Sequence, residues 1–197
     1  MKVNPGTDTT YVTLVDIDDN DIGLMEKMEA HRVPLLHRAV SVFTNSQGDW
    51  ILQKRALIKY HSKGLWTNTC CSHPYPGETS LVAAHRRLVE EMGIDCPLNE
   101  KFSFIYKEAV DNELIEYEFD HVFVGVSDDL PKLNCDEVLD WKAISFTDLD
   151  KDIRSFPDLY TVWFRKLYQQ VREFQQREEG EDARIIIDML KYQHVSS

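Results

Sequence analysis

The segment WTNTCCSHP, residues 66–74, gathers a Trp, two adjacent cysteines and a His and closes with a Pro. Cys70 and Cys71 could bind a metal, form a redox pair, or supply a nucleophile or an acid to a partner elsewhere in the chain. Adjacent cysteines are badly placed to bridge each other. Two further histidines, His31 and His37, lie in EKMEAHRVPLLHRAVS (26–41), and His73 sits in the cysteine segment itself. LIEYEFDHVF (114–123) adds Glu116 and Glu118, which alternation along a strand puts on one face, within reach of one ion. Three imidazoles with two carboxylates suit a five- or six-coordinate divalent ion such as Mn²⁺, Mg²⁺ or Zn²⁺. Taken singly, each piece also has an ordinary reading. A His is more often a surface or core residue than a ligand, and alternating glutamates are commonly the wet face of a sheet. The Glu90-Glu91 pair late in RRLVEEMGI (86–94) is, by itself, a solvated helix face.

These groups need elements to hold them. Residues 10–19 (TYVTLVDIDD) predict a short strand ending in a polar turn, and 39–54 a hairpin around Asn45-Ser46-Gln47-Gly48-Asp49. Leu81, Ala84, Leu88 and Met92 recur at helical spacing over 79–92, with Thr79 as N-cap and Gly93 as the left-handed stop. Segments 101–107 and 115–126 alternate as strands around the turn signal Asp111-Asn112. Pro157 opens a helix to about Glu179, striped by Leu159, Val162, Trp163, Leu167, Val171 and Phe174. The acidic run 178–182 predicts a break before a last short helix, ARIIIDMLKYQ. Strands, a helix, more strands and terminal helices predict an α+β or mixed α/β sandwich rather than a doubly wound parallel sheet.

A chain of 197 residues, 43% hydrophobic and 28% charged, fits one domain of ordinary size with a real core. The net charge of −12 repels phosphate backbones, and with no basic cluster a nucleic-acid partner is not expected. No stretch approaches the roughly 18 apolar residues that span a bilayer, so no membrane partner is expected. The N-terminal MKVNPGTDTTYV lacks a basic region followed by an apolar run, which predicts a cytoplasmic protein with free thiols.

RRLVEEMGI resembles the close of a Nudix box, G-x5-E-x7-R-E-U-x-E-E-x-G-U with U a bulky aliphatic. Glu78, Arg86, Leu88, Glu90, Glu91, Gly93 and Ile94 fall on its positions, while Ser72 replaces the opening Gly and Arg87 a metal-binding Glu. With AH…LHRA(V)S, the W-T-N-x-x-C-x-H-P block and E-x-E in order, residues of about 10–170 resemble the type I isopentenyl-diphosphate isomerases. These share the Nudix-like fold but isomerise rather than hydrolyse. The resemblance implies a Nudix-like α/β/α sandwich with a mixed sheet and added terminal helices. Residues 1–175 would form the isomerase domain, and 176–197 an acidic segment and short helix packed on or extending it.

Carried over by motif, the resemblance makes Cys71 catalytic, with Glu118 as the second proton-transfer group, Tyr106 as its relay and Trp163 as the aromatic face for a cation. It makes His31, His37, His73, Glu116 and Glu118 the metal set (Mn²⁺, Mg²⁺ or Zn²⁺), and Glu91 a ligand of a second Mg²⁺ that bridges the substrate diphosphate. Lys27, Arg55, Lys59, Ser72 and Arg87 would contact that diphosphate. Cys70 and Trp66 are read as packing and pocket wall, Glu90 as a surface acid, and Cys96, Cys135, His61, His85, His121 and His194 as ordinary residues.

Moving an unactivated double bond requires protonating one carbon and deprotonating another through a tertiary carbocation or something close to it. The site must therefore exclude water and stabilise a cation without trapping it. The expected activity is interconversion of isopentenyl and dimethylallyl diphosphate in isoprenoid biosynthesis, by a monomer or weak homodimer that takes an isoprenyl diphosphate. Three rivals stand beside it: a Nudix hydrolase of a diphosphate compound, a non-catalytic metal-binding or regulatory module, and a Cys-His thiol hydrolase.

Overall fold

The computed structural model describes residues 11–193, with side chains as far as Arg177. Strands β1 (Tyr11–Val15) and β2 (Asp21–Glu26) form a hairpin where the sequence predicted a single strand. A one-and-a-half-turn helix, α1 (Lys27–Arg32), leads into β3 (His37–Ser46), which pairs with β4 (Asp49–Arg55). Their turn has positive φ at both Gln47 (52°) and Gly48 (91°), the left-handed backbone that fits a tight hairpin to twisted strands. Two short strands, β5 (Trp66–Thr67) and β6 (Cys70–Ser72), carry the cysteine segment. Helix α2 (Ser80–Met92) follows, then the long hairpin β7 (Leu98–Ala109) and β8 (Ile115–Val126), then β9 (Val138–Ile144).

β3 is the organising strand. Along one edge it pairs in parallel with β8, from His37 opposite Glu118 to Asn45 opposite Val126. Along the other it meets β1 at His37, β6 at Val40–Val42 and β4 at Thr44–Ser46. β7 continues the sheet beyond β8, with Tyr106 opposite Glu118. His37, Glu118 and Tyr106 therefore stand in one row across three neighbouring strands.

Helices cover both faces, as the α/β/α expectation requires. On one, Ala83, Ala84, Leu88 and Met92 of α2 pack on Val40, Val42, Ile51, Cys70 and Phe123. Full burial of a Leu such as Leu88 stabilises by about 1.5–3 kcal/mol. Thr79 caps α2 by accepting from Val82 N–H, and Gly93 ends it at φ 63°. A Cβ at Gly93 would lie 2.7 Å from Lys132 Cβ, so the stop is also a close approach. Leu81, expected on the buried stripe, is 43% exposed; the buried face instead takes in Arg87 and Glu91.

The other face carries α3 (Phe146–Ser155) and α4 (Val162–Gln193), whose Trp163, Phe164, Leu167 and Val171 pack on Phe43, Trp50, Leu52 and Val122. The terminal helix differs from expectation at both ends. Pro157–Leu159 form a separate 3₁₀ turn and Tyr160 is extended, because it bridges Trp66 while Thr161 N–H donates to Trp66 O. The predicted break at 178–182 is absent and α4 runs through it. One Gly costs a helix only about 1 kcal/mol, and neighbouring like charges a few tenths each. Among the described residues no helix is long and apolar enough to cross a membrane. His194 lies outside the described residues.

Candidate active site

A cleft opens beside the first half of β3. Its walls include Lys27, Arg55, Lys59, Cys71, Ser72, His73, Arg87, Tyr106, Glu116, Glu118 and Trp163, residues drawn from the whole chain. His31 and His37 are fully buried behind it.

The imidazoles of His31, His37 and His73 have ring centroids 4.9–5.7 Å apart. Together with Glu118 they offer four donor atoms that all lie within 4.8 Å of one another. His31 Nδ1 is 2.7 Å from Lys27 O and His37 Nδ1 is 2.8 Å from Leu35 O, so each ring donates outward to a carbonyl and keeps Nε2 as a lone pair. Both Nε2 atoms are buried without a hydrogen-bond partner, as is Nδ1 of His73. Such orphaned atoms are what a divalent cation would satisfy, and the donor set fits one. Burial lowers the pKa of His31 to about 4 and that of His73 to about 3, which keeps both imidazoles neutral.

Tyr106 Oη lies 2.8 Å from Glu116 Oε2 and 2.7 Å from Glu118 Oε2. One hydroxyl proton cannot serve both, so one carboxyl must itself be a donor. Burial and the neighbouring Glu118 charge push Glu116 well above the usual carboxylate range. Glu118 is held well below it, against its own burial, by the His73 imidazole, whose Nε2 lies 3.0 Å from Glu118 Oε1. The chain of protons therefore runs from Glu116 to Tyr106 to Glu118. Asp120, next along the same face, is also buried and accepts from Ser41 Oγ at 2.7 Å.

β6 pairing sets Cys71 beside Ser41 and turns it into the cleft, while Cys70 is fully buried under α2. Burial raises the Cys71 pKa to about 12, so it is a thiol, with Arg55 Nη1 3.8 Å from its sulfur. Trp163 donates its indole N–H to Asn68 Oδ1 at 3.3 Å, and Asn68 Nδ2 donates to Val42 O and Cys70 O. Asn68 thus fixes the Trp and the cysteine segment to each other.

Glu91, expected to hold a second Mg²⁺ outside the His/Glu cluster, is buried and accepts from Arg87 at 2.5 Å and from Gln53 at 2.8 Å. Glu90, read as a surface acid, is exposed, and there it accepts from Arg87 at 2.9 Å and from Arg86 at 3.2 Å. His61, read as ordinary, is fully buried in the cleft wall; no motif marks it. His121 stays outside the cleft, held by Asp19 and Glu100. The Nudix-box Glu78 is held by Arg86 through two bonds of 2.7 Å. All three box carboxylates are therefore engaged by guanidinium groups.

Helices on both faces of a mixed sheet, with the box helix against the cleft, define a Nudix protein, and the NUDIX domain model matches residues 35–170. Solved structures share the fold at low identity. The Deinococcus radiodurans protein DR0079 superposes with a TM-score of 0.60 at 18% identity, over 74% of this chain and 89% of its own. A MutT protein from Methanosarcina mazei Go1 gives 0.58 at 18%, over 73% and 95%. Sequence relatives are more specific. The Photorhabdus laumondii "Isopentenyl-diphosphate Delta-isomerase 2" is 51% identical over 170 residues, covering 83% of this chain and 96% of that protein. The Pectobacterium atrosepticum "Isopentenyl-diphosphate Delta-isomerase" is 46% identical over 176 residues, covering 89% and 98%. The chain belongs to the isopentenyl-diphosphate Delta-isomerase family.

Proposed function

We propose that this chain interconverts isopentenyl and dimethylallyl diphosphate by protonation and deprotonation, with Cys71 and the Glu118–Tyr106 pair as the two proton-transfer groups. The carrying observation is that the Cys71 thiol, the Glu118 carboxylate with the Tyr106 hydroxyl 2.7 Å from it, and the Trp163 indole line one cleft. Isomerisation is reversible, so the group that gives the proton in one direction takes it back in the other. Trp163 supplies an aromatic face to the developing cation, worth ~2 kcal/mol or more when desolvated, and offers it no nucleophile. Lys27, Arg55, Lys59 and Arg87, with the Ser72 hydroxyl, give the diphosphate a cationic pocket in a protein of net charge −12.

His31, His37, His73 and Glu118, with Glu116 adjoining, would hold a divalent cation, of which Mn²⁺, Mg²⁺ and Zn²⁺ all suit the donors. Its positive charge favours the anionic form of Glu118. Glu91 is the resemblance's ligand for a diphosphate-bridging Mg²⁺, and such an ion would compete with the Arg87 guanidinium for it.

The hydrolase reading is weakened by Arg87, which stands where the box has a carboxylate and neutralises Glu90 and Glu91. Proton NMR of the protein with isopentenyl diphosphate and Mg²⁺ in D₂O tests the choice. Deuterated dimethylallyl diphosphate from wild type, and none from Cys71→Ala or Glu118→Gln, is expected. Release of isopentenyl monophosphate would instead identify a hydrolase.

A further inference from the structure

Lys59 and Arg87 reach the cleft from different parts of the chain, one from the loop after β4 and the other from α2, and a single carboxylate holds both. Glu137 Oε2 accepts from Lys59 Nζ, and Glu137 Oε1 lies 3.3 Å from Arg87 Nη2. None of the three side chains is more than 16% exposed, so solvent screens these pairs only weakly. Glu137 is outside the site set that the resemblance implies. Among the described residues that form the cleft wall, Lys59 and Arg87 appear and Glu137 does not, so it grips the two cations from outside the cleft.

The backbone around Glu137 is tied to the elements that carry those cations. Glu137 O accepts from Ala56 N–H at 3.0 Å, and the next residue, Val138, pairs with Arg55. On the other side, Asn134 N–H donates to Glu91 O at 3.0 Å and Glu137 N–H donates to Asn134 O at 2.9 Å. Asn134 Oδ1 accepts from Asp136 N–H at 3.1 Å and closes the turn. Residues 134–138 thus brace the end of α2 against the end of β4, and the carboxylate is presented from that brace.

Lysine and arginine are among the side chains that lose most rotamer freedom when fixed. Cations already held side by side lose little more on meeting an anion. The Lys59 ammonium has three donors and gives one to Glu137, which leaves donors for a ligand. We propose that Glu137 is a positioning residue of the diphosphate pocket, holding Lys59 and Arg87 as one pair so that they meet the diphosphate together. The inference rests on the pocket reading above and adds the residue that orders two of its cations.

The test measures binding of inorganic diphosphate in Mg²⁺ buffer by calorimetry, to full-length wild type, Glu137→Gln, Lys59→Met and the double variant, with thermal unfolding read on the same samples. Gln keeps the size of Glu but offers one oxygen and no charge. Positioning predicts that Glu137→Gln weakens binding at least about fivefold although the pocket gains net positive charge. A carboxylate that merely stood nearby would repel the diphosphate, and its removal would tighten binding. Arg87 still has Glu90 and Glu91, so in the Lys59→Met background the same substitution should matter less than about twofold. In turnover of isopentenyl diphosphate, KM should rise by the factor seen in binding while kcat falls no more than about twofold. If Glu137→Gln fails to fold, Glu137→Asp, which keeps the charge but retracts it by one methylene, should weaken binding in the same direction. Unchanged or tighter binding by the Glu137 variant, with Lys59→Met weakened, would overturn the inference and leave the pocket standing. Equal weakening in both backgrounds would overturn it too, since the effect would not pass through Lys59. No binding to wild type, or no effect of Lys59→Met, would remove the pocket reading and the inference with it.

Discussion

Replacing Tyr106 by Phe removes one oxygen and little else. The ring stacks on Phe104 at 5.3 Å with an interplanar angle of 12°, and Phe keeps that contact. The hydroxyl is the connection between Glu116 Oε2 and Glu118 Oε2. A hydrogen bond to an ionised group contributes about 1.5–3 kcal/mol. If the hydroxyl only orients Glu118 in the transition state, kcat should fall by roughly 10- to 150-fold, at ~1.4 kcal/mol per decade. If it also relays the proton, the loss should reach ~10²–10⁴. Rates come from NMR-monitored isomerisation of isopentenyl diphosphate, and stability from urea unfolding of the same preparations. A kcat within twofold of wild type, in a variant that folds normally, would refute the proton chain drawn through Tyr106. A KM change at constant kcat would refute it too, since the hydroxyl would then act only in binding.

Other outcomes follow from the buried charges. Arg87→Ala strands Glu91, which is only 3% exposed, and should destabilise by about 3–5 kcal/mol in denaturant unfolding. Arg87→Ala, Glu91→Gln should recover part of that loss. Metal-free protein should lose stability as pH falls. His31 and His73 have folded pKa values of about 4 and about 3, against 6.5 when unfolded, so the unfolded chain binds more protons in that window. The stability they confer is complete above pH 6.5 and declines below it, by at most about 1.4 kcal/mol per pH unit per histidine down to the folded values. His73→Gln should flatten the slope in pH-dependent unfolding. Cys71, partly buried in the cleft, should react with iodoacetamide at a rate that still rises with pH at pH 10, because desolvation raises its pKa to about 12; a plateau near pH 8 would contradict that shift.

Much of this protein can be read without coordinates, because its strongest signals are local. Thr79 and Gly93 bracket α2 since a cap and a left-handed stop act within one turn of chain. Gln47-Gly48 makes a hairpin, and alternation along β8 sends Glu116 and Glu118 to one face. The cysteine segment and the E-x-E strand carry their residue types at spacings that are meaningful before folding. Weakly patterned elements escaped: α1 is six residues long, α3 buries only Leu149 and Ile153, and β9 lies at a sheet edge with much of its length exposed. Which partners meet is a different matter. Nothing in the chain near His61 distinguishes it from His121, yet the tie of Tyr60 and Ser62 to Asn112 and Asp111 brings one into the cleft, while Asp19 and Glu100 hold the other outside. Glu91 carries a ligand's residue type, but Arg87 one helical turn earlier and Gln53 on β4 claim both its oxygens. Residue type and spacing determine which chemistry is available, because they act over a turn or a strand. Only tertiary structure decides which of those groups share an ion or a proton, since that depends on distances between segments as far apart in the chain as His31 and Glu116.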